Sequence, residues 1–262
     1  MSRLGNKAEE ATASGFAAML FAPTGEFDRA LAYANRGVAL AQELKNPFAE
    51  AAAFFYRGMF HDQRGDWARA IDDYGCARSV SERAGDLFRT YIVKFWEGRA
   101  YARVGDASRG RTLVQEGFAL AERIGTKFVL AHGKLSLAQC LLVLGELDAA
   151  GSACRETITL AEESGDRFHA ALGHRICAES LIQLRPPDSQ WRREILEAIR
   201  VQQHIGAKPE LARSYASYAR LLEITGEIEQ AKTQLLQAID MFRGLDMAWD
   251  LGRAEQALRD LA

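Results

Sequence analysis

The chain has 262 residues, 33 of them basic and 35 acidic, for a formal net charge of -2; 48% are apolar and 26% charged. That balance belongs to a folded chain and not to a disordered one. The near-neutral charge supplies no general field for nucleic acid or an anionic membrane, so neither is an expected partner. The longest apolar runs, such as Phe16 to Ala22, fall far short of the ~20 residues that cross a bilayer. Met1 to Glu10 alternates polar and charged residues without the apolar core of a leader, and a cytoplasmic location is expected.

Gly-acidic turn signals recur every forty residues, with a second series of Gly-containing breaks halfway between. In chain order, about 5–44 is the first helix pair, broken at Gly25-Glu26 beside Pro23. The second, 45–84, opens at Pro47 and turns at Gly65-Asp66. The third, 85–124, follows Gly85-Asp86 and turns at Gly105-Asp106, and the fourth, 125–164, follows Gly125-Thr126 and turns at Gly145-Glu146. The fifth, 165–205, follows Gly165-Asp166 but turns without Gly, through Arg185-Pro-Pro-Asp-Ser-Gln-Trp191. That stretch reads either as an exposed epitope or as a longer turn, with Asp188 or Ser189 capping the next helix and Trp191 covering the gap. The sixth, 206–246, opens at Gly206-Ala207 with Pro209 and turns at Gly226-Glu227. In 247–262, Met247, Leu251, Ala254, Leu258 and Leu261 make the single narrow stripe of a terminal capping helix.

Each half-unit is rich in Ala, Leu, Glu, Arg and Gln, which favour helix. Apolar residues recur three and four apart, as in Leu137, Cys140, Leu141 and Leu144. Gly past a helix end closes the last turn, and the acidic residue after it suits the start of the next helix. No stretch predicts a strand, so the fold is all-α. Small residues hold fixed places: Ala18, Gly58, Gly98, Ala138, Ala178 and Ala219 seven before each principal turn; Ala30, Ala70, Gly110, Ala150 and Ala231 five after it. Larger ones, such as Tyr74, Val114, Ile195 and Leu235, fill the gaps between helices. One helix pair cannot bury its stripe alone, so neighbours stack into a continuous core.

Chemistry-bearing motifs are missing: no phosphate-binding Gly-rich loop, nucleophile elbow or zinc-helix signature occurs. His174 and Cys177 share a helix face but lack a second ligand pair, so no metal, cofactor or catalytic residue is expected. Cys76, Cys140, Cys154 and Cys177 contain no Cys-x-x-Cys pair and read as small buried hydrophobes, without a disulfide framework.

The recurring pattern of small residue, Gly turn, Ala, aliphatic or aromatic residue and Ala resembles the tetratricopeptide repeat in its long form, about forty residues per unit. It is similar to the repeat region of maltose-regulon-type transcription activators and to the C-terminal arrays of bacterial multidomain ATPases and nucleotide cyclases. Glu210 to Leu222 and Met247 to Glu255 look especially like those arrays. The resemblance implies one domain over 1–262, a right-handed α-solenoid of six helix-turn-helix repeats plus the cap. It implies a non-enzymatic interaction scaffold, with the first helix of each unit lining a concave groove. The groove positions then hold Phe55, Met59, Phe95, Arg99, Arg103, Gln139, Arg175 and Arg220, with Tyr56 and Trp96 adjoining. A protein or peptide partner would place apolar anchors at Phe55, Met59 and Phe95 and acidic groups at Arg99 and Arg103. Alternatively Phe and Met fill helix packing, and the arginines are solvated or paired with Asp62 and Glu179. A second functional reading is a sensor module of a bacterial signalling or transcription-regulatory protein, taking a small anionic ligand near Arg99, Arg103 and Arg175. Peptide-pheromone sensors use groove asparagines, whereas this chain has only Asn6, Asn35 and Asn46, none at a groove position.

Overall fold

Short breaks follow each run of helix formers, and they fix the architecture. The computed structural model describes residues 3–184 and 189–261. Among these the chain is an all-α helical-repeat solenoid without a strand. The helices are α1 (Arg3–Phe21), α2 (Phe27–Leu44), α3 (Pro47–Arg64), α4 (Trp67–Arg83), α5 (Leu87–Arg103), α6 (Ala107–Arg123) and α7 (Leu130–Val143), followed by α8 (Leu147–Glu163), α9 (Arg167–Leu184), α10 (Gln190–Ile205), α11 (Lys208–Ile224), α12 (Ile228–Gly244) and α13 (Ala248–Asp260). They gather into two compact units, one ending at Val129 and one beginning at Leu130.

The turn at Gly65 shows how the breaks work. Gly65 takes φ 84°, its N–H donates to the Asp62 carbonyl, and the Asp66 N–H donates to the His61 carbonyl. This paired closure satisfies carbonyls that the helix end would leave orphaned. The Asp66 carboxylate then accepts from the Arg69 N–H and starts α4. Asp86, Asp106 and Asp166 repeat the cap on Arg89, Arg109 and His169. Where Glu26, Glu146 or Glu227 stands instead, the longer side chain makes no cap bond. Among the described residues, three left-handed positions carry no glycine: Lys45, Val129 and Asp246. Nothing in the sequence marks them, and Val129 is β-branched, for which such a backbone is unusual.

Within the first unit, α1 packs on α2, α3 on α4 and α5 on α6, while α1, α3 and α5 also touch in succession. Within the second, α7, α9 and α11 form the corresponding row, with α8, α10 and α12 behind them. The small residues make these approaches possible. A Cβ on Gly98 would stand 2.7 Å from the Gly110 carbonyl oxygen, and one on Gly58 would stand 2.6 Å from the Tyr74 ring. Ala30, Ala70, Ala150 and Ala231 are fully buried at their contacts. Trp191, in the place of that alanine, is buried against Tyr218. Ser189 precedes α10 but makes no side-chain cap bond; Asp188, the other expected cap, lies outside the described residues.

The cysteine expectation needs two corrections. Cys154 and Cys177 are joined as a disulfide between α8 and α9, in a core cluster with Leu135, Ala138 and Ile176. They lie 23 residues apart, a spacing that carries no motif; only the stacking of α8 on α9 brings them together. Cys76 is exposed, whereas Cys140 is buried as expected.

Candidate functional site

The helices α1, α3 and α5 carry an aromatic residue nine positions before each principal turn: Phe16, Tyr56 and Trp96, forty residues apart. The Tyr56 ring lies against Gly15 of α1, where a Cβ would overlap it, and beside Phe16, with centroids 5.6 Å apart. Phe55, its neighbour on α3, meets Trp96 edge-on at 5.2 Å and Tyr74 at 6.0 Å. The rings therefore form a shelf graded in exposure: Phe16 is 48% exposed, Tyr56 half-buried, and Phe55 and Trp96 buried. Arg89, near the start of α5, reaches back over it. Its guanidinium carbon lies 5.5 Å from the Phe55 centroid and 5.9 Å from that of Tyr56. That is cation–π range. Met59, one turn beyond Phe55 on α3, is half-buried.

Beneath the shelf is a buried ion pair. Arg99 of α5 donates to Asp62 of α3, 37 residues away, with both side chains almost fully enclosed. The Tyr74 hydroxyl also donates to Asp62, at 3.3 Å. Burial, aided by the Asp62 charge, pushes the Tyr74 phenol well above its ordinary range, so it stays protonated as the donor.

The second unit uses its corresponding row of helices differently. Arg175 of α9 donates to Glu210 of α11 at 2.7 Å; Glu210 accepts from Arg213 at 2.8 Å; Arg213 pairs with Asp250 of α13 at 3.0 Å. Ser217 donates to Glu179 at 2.6 Å, and the rings of His132 and His169 are bonded nitrogen to nitrogen at 2.8 Å. The Asp166 carboxyl accepts from His169; burial works to raise its pKa, but the His169 ring and backbone N–H outweigh that and hold it below the usual carboxylate range. Arg175–Glu210, Arg213–Asp250, Ser217–Glu179 and His132–His169 form a ladder of polar links between helices, each spanning 35 to 38 residues, while Glu210–Arg213 and Asp166–His169 are local.

The expected groove residues therefore divide. In the first unit Phe55 is the floor of the shelf, Met59 stands one turn beyond it on α3, and Arg99 is closed onto Asp62. Phe95 is fully buried between α5 and α6 against Phe118 and Tyr91, turned away from the shelf. Arg103 lies 5.4 Å over the Trp67 ring. Gln139 and Arg175 are buried in the second unit, and Arg220 is exposed beside Glu223. The shelf residues left out of the expected set are Phe16 and Arg89. Phe16 was legible through its forty-residue spacing from Tyr56 and Trp96; Arg89 carried no pattern.

Elsewhere, an open cleft of about 660 Å³ lies along α10, lined by His174, Arg192, Arg193, Glu194 and Arg200 among others. Its cations are largely answered: His174 by Glu194, Arg192 by Glu227 and Arg200 by Glu197. Among the described residues no three His, Cys, Asp or Glu side chains converge as metal ligands, and no helix is long and apolar enough to cross a membrane.

No known protein family and no curated protein matches the sequence. Solved structures do match in fold. RapI, in its apo form, superposes with a TM-score of 0.70 at 12% identity, covering 91% of this chain and 85% of RapI. A Rap protein complexed with Competence and Sporulation Factor gives 0.67 at 12% identity, covering 96% of this chain and 74% of that one. A Signal Transduction ATPase with Numerous Domains from Pyrococcus horikoshii, with a tetratricopeptide repeat sensor, gives 0.55 at 15% identity over 96% of this chain but only 39% of its own length. The likeness is to a tetratricopeptide-like helical-repeat fold.

Proposed function

We propose that the chain is a non-enzymatic protein-interaction scaffold whose docking face is the aromatic shelf of α1, α3 and α5. The observation that carries this reading is the shelf itself: Phe16, Tyr56 and Trp96 repeat with the helices, and the outermost ring is 48% exposed where a packing role would have buried it. Exposed and half-buried aromatics above a buried aromatic floor are what an apolar anchor of a partner needs, and such anchors carry most of an interface's energy. The same fold accommodates Competence and Sporulation Factor in the Rap complex, which supports a bound partner as a use for this architecture. The test is affinity capture with mass spectrometry, wild type beside Phe16→Asp/Tyr56→Asp. Partners lost only from the double variant are expected. An identical set of captured proteins on both would sink the docking face.

The sensor reading draws support from the Pyrococcus horikoshii protein, whose repeat array is a sensor. Its expected anion site is weaker, because Arg99 and Arg175 already hold buried carboxylates. A thermal-shift screen with nucleotides and sugar phosphates would raise the melting temperature if that reading held.

A further inference from the structure

The inner arginines of the first unit differ in how their charge is answered. Arg99 closes onto Asp62, Arg57 onto Asp73 through Nε and Nη2, and Arg78 onto Glu97. Arg89 does not follow them. Its backbone N–H is fixed by the Asp86 cap at 2.9 Å, while its guanidinium lies over the Phe55 and Tyr56 rings, and among the described residues no carboxylate stands within ion-pair reach of it. Stacking on rings leaves the planar edge of a guanidinium, with its parallel N–H donors, facing outward.

From this we infer that the shelf selects a partner segment carrying an acidic side chain beside an aromatic or long aliphatic one, with Arg89 as the residue that reads the carboxylate. The inference rests on the docking face proposed above and adds the chemistry of what docks. The apolar side chain lies against Phe16 and Tyr56, and the carboxylate meets the donor edge of Arg89. Pairing there is stronger than at an open surface, because the apolar neighbour excludes water from one side of the ion pair. A single arginine suits a monoanion. Arg57 is taken by Asp73 and Arg99 by Asp62, so among the described residues the shelf lacks the cluster of arginines that a phosphorylated segment requires. An internal acidic side chain is the assigned source of the carboxylate.

The test is selection of short random peptides, displayed as amino-terminal fusions so that no free carboxy-terminus is offered, on the full chain. Enriched sequences are expected to place Asp or Glu beside Phe, Trp, Leu or Met. A chosen synthetic peptide should then bind Arg89→Gln about tenfold more weakly than wild type, and its Asp→Asn version should bind both proteins alike. Arg89→Lys should recover part of the affinity, since the charge returns without the planar fork. Unchanged melting curves for both variants keep a folding defect from mimicking the result. Enriched apolar peptides whose affinity ignores Arg89 would overturn the carboxylate assignment and leave the docking face standing. Binding confined to peptides with a free carboxy-terminus would overturn the assigned source. Failure to enrich any peptide that Phe16→Asp/Tyr56→Asp rejects would remove the docking face itself.

Discussion

Asp62 and Arg99 meet where almost no water reaches, so their worth lies in having each other. Asp62→Ala takes a carboxylate from Arg99 and an acceptor from the Tyr74 hydroxyl, and removal of one partner of a buried pair costs roughly 3–5 kcal/mol. Asp62→Leu/Arg99→Met, which removes both charges, should recover most of that loss; chemical denaturation of the three proteins measures it. His61 gives the pH dependence of the same region. Burial lowers its pKa, opposed by Asp73 at 3.8 Å and Asp66 at 3.9 Å, and burial prevails. A histidine whose folded pKa is depressed stabilises the fold at neutral pH. That contribution is lost as the pH falls below the unfolded value of about 6.5. The melting temperature of the wild type should therefore drop more than that of His61→Gln between pH of about 7 and about 5. The sequence offered both fates for Arg99, groove or ion pair, because its partner lies 37 residues away. A small rotation of α5 about its axis decides between them, and periodicity does not resolve so small an angle.

Two glycines in the middle of helices show what an element can and cannot absorb. Gly98 of α5 faces the backbone of α6, so Gly98→Ala must push the two helices apart at a cost of about 1–3 kcal/mol. Gly75 of α4 has nothing within 4 Å of its missing Cβ, and Gly75→Ala should instead stabilise by about 0.5–1 kcal/mol through helix propensity alone. Thermal melts of the two variants should move in opposite directions. The helices themselves were legible because Gly and Asp punctuate them with a physical role at each break. The turns at Lys45, Val129 and Asp246 were not, since a residue forced into the left-handed region by its neighbours leaves no trace in composition. The Cys154–Cys177 link escaped for a related reason: a spacing of 23 residues acquires meaning only once α8 lies on α9.

At the scale of the molecule each helix answers mainly to its neighbours, so damage should remain local. Hydrogen exchange of Asp62→Ala is expected to quicken in α3, α4 and α5, while the amides of α11 and α12 keep their wild-type protection. Uniform acceleration across all helices would mean that the array opens as one body. The forty-residue period ran through the whole sequence and gave no sign of the division between Val129 and Leu130, because the same turn chemistry stands on both sides. The buried ladder of the later unit has a consequence for how such a chain can lengthen. Glu210 stands three residues beyond Ala207, which precedes α11, and Asp250 stands three beyond Met247, which precedes α13. A second copy of 207–246 spliced in after 246 would set its own Glu210 where Asp250 now meets Arg213, and would pass its own Arg213 on to Asp250. Excising 207–246 would hand Asp250 to Arg175. Every buried charge is answered in either case, so this segment is a point at which gene duplication or loss can change the number of repeats without leaving an ion stranded.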